Sequence, residues 1–558
     1  MGTVVGNLGA FTFVLHSHLP YVRLAGRWPH GEEWIHEAAC ETYIPLLALM
    51  ENLRADGVPF RLTIGITPTL AEQLADPLVL DHLDQYIEER IAAAERDRAE
   101  FDSPSSYNEH LRSLAEGYLE SYRGVRDFFH QQLGRDIIGA FRRLQDAGLI
   151  EIVASAATHG YLPLLSRDST LRAQIGIGIQ TYRRLFGREP RSFWLPECGY
   201  RPAYLTEDGT PRQGLEAFLQ AYGIQCFFSE THSITGGTPV GVATGDVVGP
   251  YSEIKRRYVL PVAHSREVGR PATTYLPYHV ADSRVSVIGR DHKVGQQVWS
   301  SDWGYPGDFD YREFHRQNGA SGLKYWRITG KPVDLSQKDY YRPDWAYCKV
   351  EQHAEHFAHL VGDRLRKLHK ETGDYGIISA AFDTELFGHW WAEGIQWLGE
   401  TLRHLAANPE IELTTASDYL EAHPPVSSLN LPESSWGAGG AHFIWENNDT
   451  QWMWKPIHET ELRMERLAAR FDAPNDAERL TLNQAAREAL LMQSSDWSFL
   501  VTTGQAREYA IQRFNQHFER FDKLASKLEA GEADAALAQE FFEQDNLFPD
   551  INYRDFAT

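Results

Sequence analysis

The sequence predicts an α/β protein: a parallel barrel of seven strands, a helical insertion within it, and an all-helical domain after it. Three observations predict this. Short apolar runs recur at residues 11–15, 61–66, 150–155, 192–195, 224–228, 285–288 and 376–382. Helical patterns lie between several of them, and buried strands alternating with helices make a parallel sheet. After about residue 425 the strand runs stop and helical patterns take over.

The strands share a habit at their ends. Leu15 runs into His16, Ile66 into Thr67, Leu195 towards Glu197, Phe228 towards Glu230, and Phe382 into Asp383. Catalytic groups of α/β barrels sit at the C-terminal ends of strands, and this chain is arranged that way. Two insertions interrupt the alternation. Residues 76–148 are charged and helical, with periodic apolar positions at Leu111, Leu114, Tyr118 and Tyr122. Residues 231–284 are rich in Gly, Pro, Thr and Val and read as a loop excursion, the form of a lid or binding loop. Pro424, Pro425 and Pro432 mark a boundary, giving a catalytic barrel over 1–425 and a helical domain over 426–558. Within the latter, helical patterns cover 459–471, 480–492 and 505–528, and Phe514, Phe518, Phe521 and Leu528 form one packing stripe.

Composition narrows the function. The chain has 558 residues, 42% of them hydrophobic, enough for two or three folded units. Fifty-four basic against 77 acidic residues leave a formal charge of −23, which repels nucleic acid and anionic membrane and suits a neutral substrate. Cys40, Cys198, Cys226 and Cys348 form no CxxC pair, so neither a zinc knuckle nor a disulfide framework is expected, and a reducing compartment fits. The first residues have no signal-peptide pattern and no run of about 18 apolar residues exists, so the expected location is cytoplasmic. Aromatic residues reach 12%, with 15 Trp. Sugar rings present apolar C–H faces that stack on indole, so glycan binding is one reading of this excess; core packing is the other.

The chemistry concentrates in three places. Trp194-Leu195-Pro196-Glu197-Cys198-Gly199-Tyr200 puts a carboxylate after a strand, among aromatics, as a sugar cleft needs; an ordinary cap or salt bridge is the plain alternative. Ala381 to Trp391 puts Asp383 at another strand end, followed by Glu385, His389 and two Trp; Glu385 and His389, four apart, can pair on one helical face. His16-Ser17-His18 and Thr158-His159-Gly160 follow the first and third strands. With a late Asp, these histidines also fit a metal-dependent amidohydrolase or deacetylase, although a further His or Lys at a strand end is missing. No dinucleotide, Walker A or GxSxG signature is present, and no cofactor is implied.

Together the motifs resemble glycoside hydrolase family 57, specifically its α-1,4-glucan branching enzymes, over nearly the whole chain. The matching blocks run in order from His16-Ser17-His18-Leu19-Pro20-Tyr21 through Gly26-Arg27-Trp28-Pro29, Gly65-Ile66-Thr67-Pro68, Trp194 to Glu197, Val298-Trp299-Ser300, Gly304-Tyr305-Pro306-Gly307, Asp383 to Trp391, and Ser435-Trp436-Gly437 to Ser495-Asp496-Trp497. The resemblance implies a (β/α)7 barrel whose cleft is closed by the helical domain. It implies a retaining mechanism without a metal on amylose, glycogen or maltooligosaccharides, with Glu197 as nucleophile and Asp383 as general acid/base. It places His16, His18 and His159 at the sugar site, Trp28, Trp299, Trp436 and Trp445 along the cleft, and Arg290, Gly307, Trp436 and Asp496 at substrate contacts. Family branching enzymes carry a tyrosine at the tip of a loop over the active site; the corresponding tip here is Ala243, within Gly236 to Gly245. An α-amylase or a 4-α-glucanotransferase on the same scaffold therefore stays open, as does a glycan-binding protein without catalysis.

Overall fold

The computed structural model describes residues 6–236, 271–300 and 304–557, together with the backbone of two short paired strands, Val248–Gly249 and Ser252–Glu253. Ala243 and most of the expected loop excursion lie outside the described residues.

All seven expected strands form: β1 (Gly9–Ser17), β2 (Leu62–Ile66), β3 (Ile150–Ser155), β4 (Ser192–Trp194), β5 (Cys226–Ser229), β6 (Ser286–Gly289) and β7 (Gly376–Asp383). They pair in parallel in the order β7-β1-β2-β3-β4-β5-β6. The ring is closed by one parallel bridge, Arg290 to Ser379, and by the Asp291 N–H donating to the Ser379 carbonyl at 3.0 Å. Every residue of β1, β2 and β3 is buried, because one face fills the barrel and the other lies under helices. The ends differ from the apolar runs for local reasons. Leu195 drops out of β4 because Pro196 follows it and no ladder partner remains. β5 starts late because the Ile224 N–H still closes the preceding helical turn onto Leu219.

The insertion is a helical hairpin of α1 (Pro77–Asp102) and α2 (Glu109–Asp127), N-capped by Asp76 and Asn108. Leu111, Leu114 and Tyr122 are buried along it, as their spacing requires. α3 (Asp168–Phe186) lies so close to β3 that a Cβ on Gly178 would sit 2.1 Å from the Ser155 carbonyl oxygen. α4 (Pro343–Thr372) packs Phe357 onto Phe13 and Trp397 behind β1. Truncating such a core ring to Ala costs about 3–5 kcal/mol.

The C-terminal segment holds α5 (Gln451–Arg470), α6 (Asp476–Met492), α7 (Ser495–Thr503), α8 (Arg507–Ala530) and α9 (Ala535–Gln544). α6 is almost wholly buried at its centre, and Phe514, Phe521 and Leu528 of α8 turn inward as the stripe predicts. This helical unit is fastened to the barrel mouth. The Ser495 N–H donates to the His159 carbonyl at 3.1 Å, and the Gln174 amide donates to Gln493 at 3.0 Å.

Candidate active site

Each barrel strand hands a polar side chain to one rim: His16 at the end of β1 and His18 after it, Thr67 after β2, His159 after β3, Glu197 after β4, Glu230 after β5, Arg290 after β6, and Asp383 with Glu385 at β7. The β1–β7 register sets His16 directly beside Asp383. His159, Glu197 and Cys198 have φ of 54°, 61° and 50°, the left-handed region that side chains avoid. Such residues cost about 1–3 kcal/mol each and persist where surrounding contacts impose them.

Glu197 is held from three directions. The Trp436 indole N–H donates to Oε2 at 2.6 Å, the Ser495 hydroxyl donates to Oε1 at 3.3 Å, and His159 Nδ1 stands 4.0 Å from Oε1. The Asp383 carboxylate takes no hydrogen bond from a described residue; it feels the charge of Arg290, whose guanidinium donates to Glu230 at 3.0 Å. Burial pushes Glu197 up to about 7, opposed by the Trp436 bond, and pushes Asp383 up to about 6, opposed by Arg290 and His18. Both carboxyls titrate near neutrality, Glu197 the higher of the two even with its donors in place. The Trp436 and Ser495 donors are placed to solvate the Glu197 anion once that proton is lost. Burial, rather than the charge of Glu197, is what raises Asp383.

A third carboxyl lies beside them. Glu385 is 3% exposed, accepts from the Tyr43 hydroxyl and the His18 N–H, and is raised to about 8 by burial and by Asp383. The expected Glu385–His389 pair does not form. Thr384–Leu386 is a single 3-10 turn, Gly388 turns the chain with φ 101°, and His389 instead meets Glu41 at 2.6 Å.

The histidines form a stacked column. His16 lies on Trp194 with ring centroids 4.5 Å apart, His159 on His16 at 5.1 Å, and His18 on His159 at 3.8 Å. Parallel rings aim their nitrogens sideways rather than at one point. Among the described residues, the one group of three whose ligand atoms converge is Glu488, His517 and Asp545 in the helical core, and there Arg513 and Arg520 already pair with the acids and the imidazole. Among the described residues, the histidine cluster does not bring three ligand atoms to one point. Burial drives His16 and His159 well down, so both are neutral, and His16 Nδ1 and Nε2 and His159 Nε2 are buried without a partner among the described residues. Neutral imidazoles suit sugar hydroxyls. His18 behaves differently: burial lowers it, but Asp496, with both oxygens 3.1 Å from Nε2, outweighs that and raises it. Its Nδ1 contacts Thr67 at 2.9 Å.

The remaining expected positions are spread out. Trp28 is 76% exposed. Trp299 is half-buried, its ring 6.4 Å from Phe382, and Gly307 ends a 3-10 turn with Tyr305. Trp445 departs from its expected place along the cleft: it is buried, stacks on Tyr161 at 4.1 Å and backs onto Gly437, so it supports the wall beneath Trp436. Residue reasoning missed Tyr43, Ser495, Tyr161 and His442. Only Ser495 carried a signal, as the neighbour of Asp496.

A parallel barrel with paired buried carboxyls, neutral histidines and indoles at its C-terminal rim has the build of a carbohydrate-active enzyme. The chain belongs to glycosyl hydrolase family 57, whose model matches residues 12–432. A second model, described as 1,4-alpha-glucan branching enzyme, C-terminal, matches residues 456–556. The chain is 44% identical over 549 residues to a 1,4-alpha-glucan branching enzyme of Thermococcus kodakarensis, covering 97% of this chain and 77% of that protein. Against a crystal structure of that enzyme with glucose and additives the TM-score is 0.89 at 42% identity, covering 99% and 97% of the two chains. An alpha-amylase from Thermotoga maritima gives 0.82 at 31% identity, covering 99% of each.

Proposed function

We propose that the chain is a retaining 1,4-α-glucan branching enzyme acting on amylose- or glycogen-like chains. The observation that carries this is the unequal treatment of the two carboxyls: donors surround Glu197, while Asp383 has none among the described residues. Glu197 is the nucleophile, and Asp383 protonates the leaving glycosidic oxygen. The glucosyl-enzyme then meets an acceptor hydroxyl, activated by the same Asp383 acting as base. Water at that step gives hydrolysis, a 4-hydroxyl gives disproportionation, and a 6-hydroxyl gives a branch. His16, His18, His159, Arg290, Trp299, Trp436 and Asp496 orient the glucan, and Trp28 and Gly307 guide it at the edge. The barrel over 1–425 does the chemistry while the domain over 426–558 closes the cleft.

The relatives support branching over the alternatives, since the C-terminal match and the curated relative are both described as branching enzymes. A hydrolytic second reading has the Thermotoga maritima amylase behind it, together with Ala243 at the loop tip. A cytoplasmic setting is supported by four unpaired cysteines; among the described residues no helix is long and apolar enough to cross a membrane. The test is amylose incubated with the protein and followed by proton NMR. New α-1,6 signal supports branching. Reducing ends without α-1,6 links support the amylase reading, and Ala243→Tyr is then the variant to make. No product of either kind overturns both.

A further inference from the structure

The segment from residue 433 to 442 leaves the barrel rim, delivers Trp436 to Glu197, and returns. Its two ends are tied side chain to side chain, with His442 Nε2 2.7 Å from Glu433 Oε1. The other imidazole nitrogen, Nδ1, lies 2.7 Å from the hydroxyl of Tyr161, a buried residue two places beyond His159. These partners fix the proton order. The carboxylate only accepts, so Nε2 carries the hydrogen and Nδ1 accepts from the Tyr161 O–H. Inside the loop, the Ser435 hydroxyl donates to the Ala441 carbonyl at 2.6 Å and accepts from the Gly437 N–H at 3.1 Å. Trp436 stands between these two bonds.

We propose that Glu433 and His442 are positioning residues: a clasp that anchors the loop to Tyr161 and thereby fixes the Trp436–Glu197 hydrogen bond. This rests on Glu197 being the nucleophile. As a stabilising ion pair the clasp is worth little, because the Glu433 side chain is 51% exposed. Its effect is on geometry, where a displacement of about 1 Å costs up to about a hundredfold in rate. The charged and titratable groups facing Glu197 are Asp383, His18, His159 and Asp496; those facing His442 are Glu433 and Tyr161, with Arg201 acting on Glu433. The clasp variants touch none of the groups around Glu197 directly.

The test uses His442→Ala and Glu433→Gln in the full chain. In His442→Ala, kcat on amylose should fall about tenfold while KM changes less than about twofold. The pH profile of kcat/KM should shift, with the limb that reports Glu197 moving to higher pH, because Glu197 loses its indole donor. The Trp436 indole N–H resonance, assigned with Trp436→Phe in 15N-labelled enzyme without substrate, should leave its downfield position. Glu433→Gln alters an exposed side chain and should shift the same readouts in the same direction by less. Should His442→Ala fail to fold, Glu433→Gln decides. Wild-type kcat, pH profile and Trp436 resonance in the folded variants would overturn the clasp. A wild-type enzyme with no product from amylose overturns the proposed function instead, and the Trp436 resonance still decides the clasp.

Discussion

Trp436 donates to Glu197 twice: its indole N–H to Oε2 at 2.6 Å and its backbone N–H to the Glu197 carbonyl at 3.0 Å. One residue thus fixes both the carboxylate and the left-handed backbone beneath it. Trp436→Phe keeps the ring and removes the side-chain donor. A hydrogen bond to a charged group is worth about 1.5–3 kcal/mol, so kcat/KM on amylose should fall about tenfold to a hundredfold. A pH–rate profile should show the limb that reports Glu197 displaced upward.

Glu197→Gln should abolish turnover and yet melt at a higher temperature. The carboxyl is raised from 4.5 to about 7 by burial, so the folded state holds its proton more tightly than the unfolded chain. A raised carboxyl is harmless below its unfolded pKa and costs stability progressively as pH rises from about 4.5 to about 7. Gln carries no such cost, so the variant should gain up to about 3 kcal/mol at pH 8 and almost nothing at pH 4. Thermal melts across that range decide it.

The dyad should give a narrow bell in kcat/KM, highest between about pH 6 and 7. Below it both carboxyls are protonated and no nucleophile remains; above it both are ionised and no acid remains. Burial raises Asp383 and Arg290 opposes it, so Arg290→Gln should raise the Asp383 carboxyl and move the limb that reports it to higher pH. A profile with neither limb moved would show that Arg290 does not tune Asp383.

His18 is raised because Asp496 outweighs its burial, so this contact contributes stability at low pH and loses it as pH rises through the folded pKa. Asp496→Asn should therefore lower the melting temperature most in acid and least in alkali. The opposite pH trend would mean that the contact works through packing.

Gly437→Ala should slow catalysis without touching a reacting atom. The added Cβ would stand 2.8 Å from two atoms of the Trp445 ring, and the relief available is to push residue 436 off Glu197. Trp445→Phe in the same chain opens that space and should restore part of kcat. Steady-state kinetics on the single and double variants measure this.

The barrel was legible because each strand is a short apolar run, and the rim was legible because the run ends where a polar residue begins. The two carboxyls stood out as strand-end acids beside aromatics, and their roles came from the family resemblance. What could not be read were contacts across the chain. Tyr43 reaches Glu385 over 342 positions, and nothing local distinguishes it from any core tyrosine. Glu385 and His389 have helical spacing, but Gly388 breaks the geometry that would make spacing mean proximity. Trp445 and Trp436 look equally ready to hold a sugar; the contact with Gly437 is what places one of them behind the wall.

Glu197 draws its two hydrogen-bond donors from residues 239 and 298 positions further along the chain. During synthesis position 197 therefore emerges with only His159 of its three neighbours already made. Its surroundings are complete only when the chain has grown past Ser495. Proteolysis runs the same logic backward: a cut before Ser495 would take away one of the two donors while leaving both carboxyls untouched.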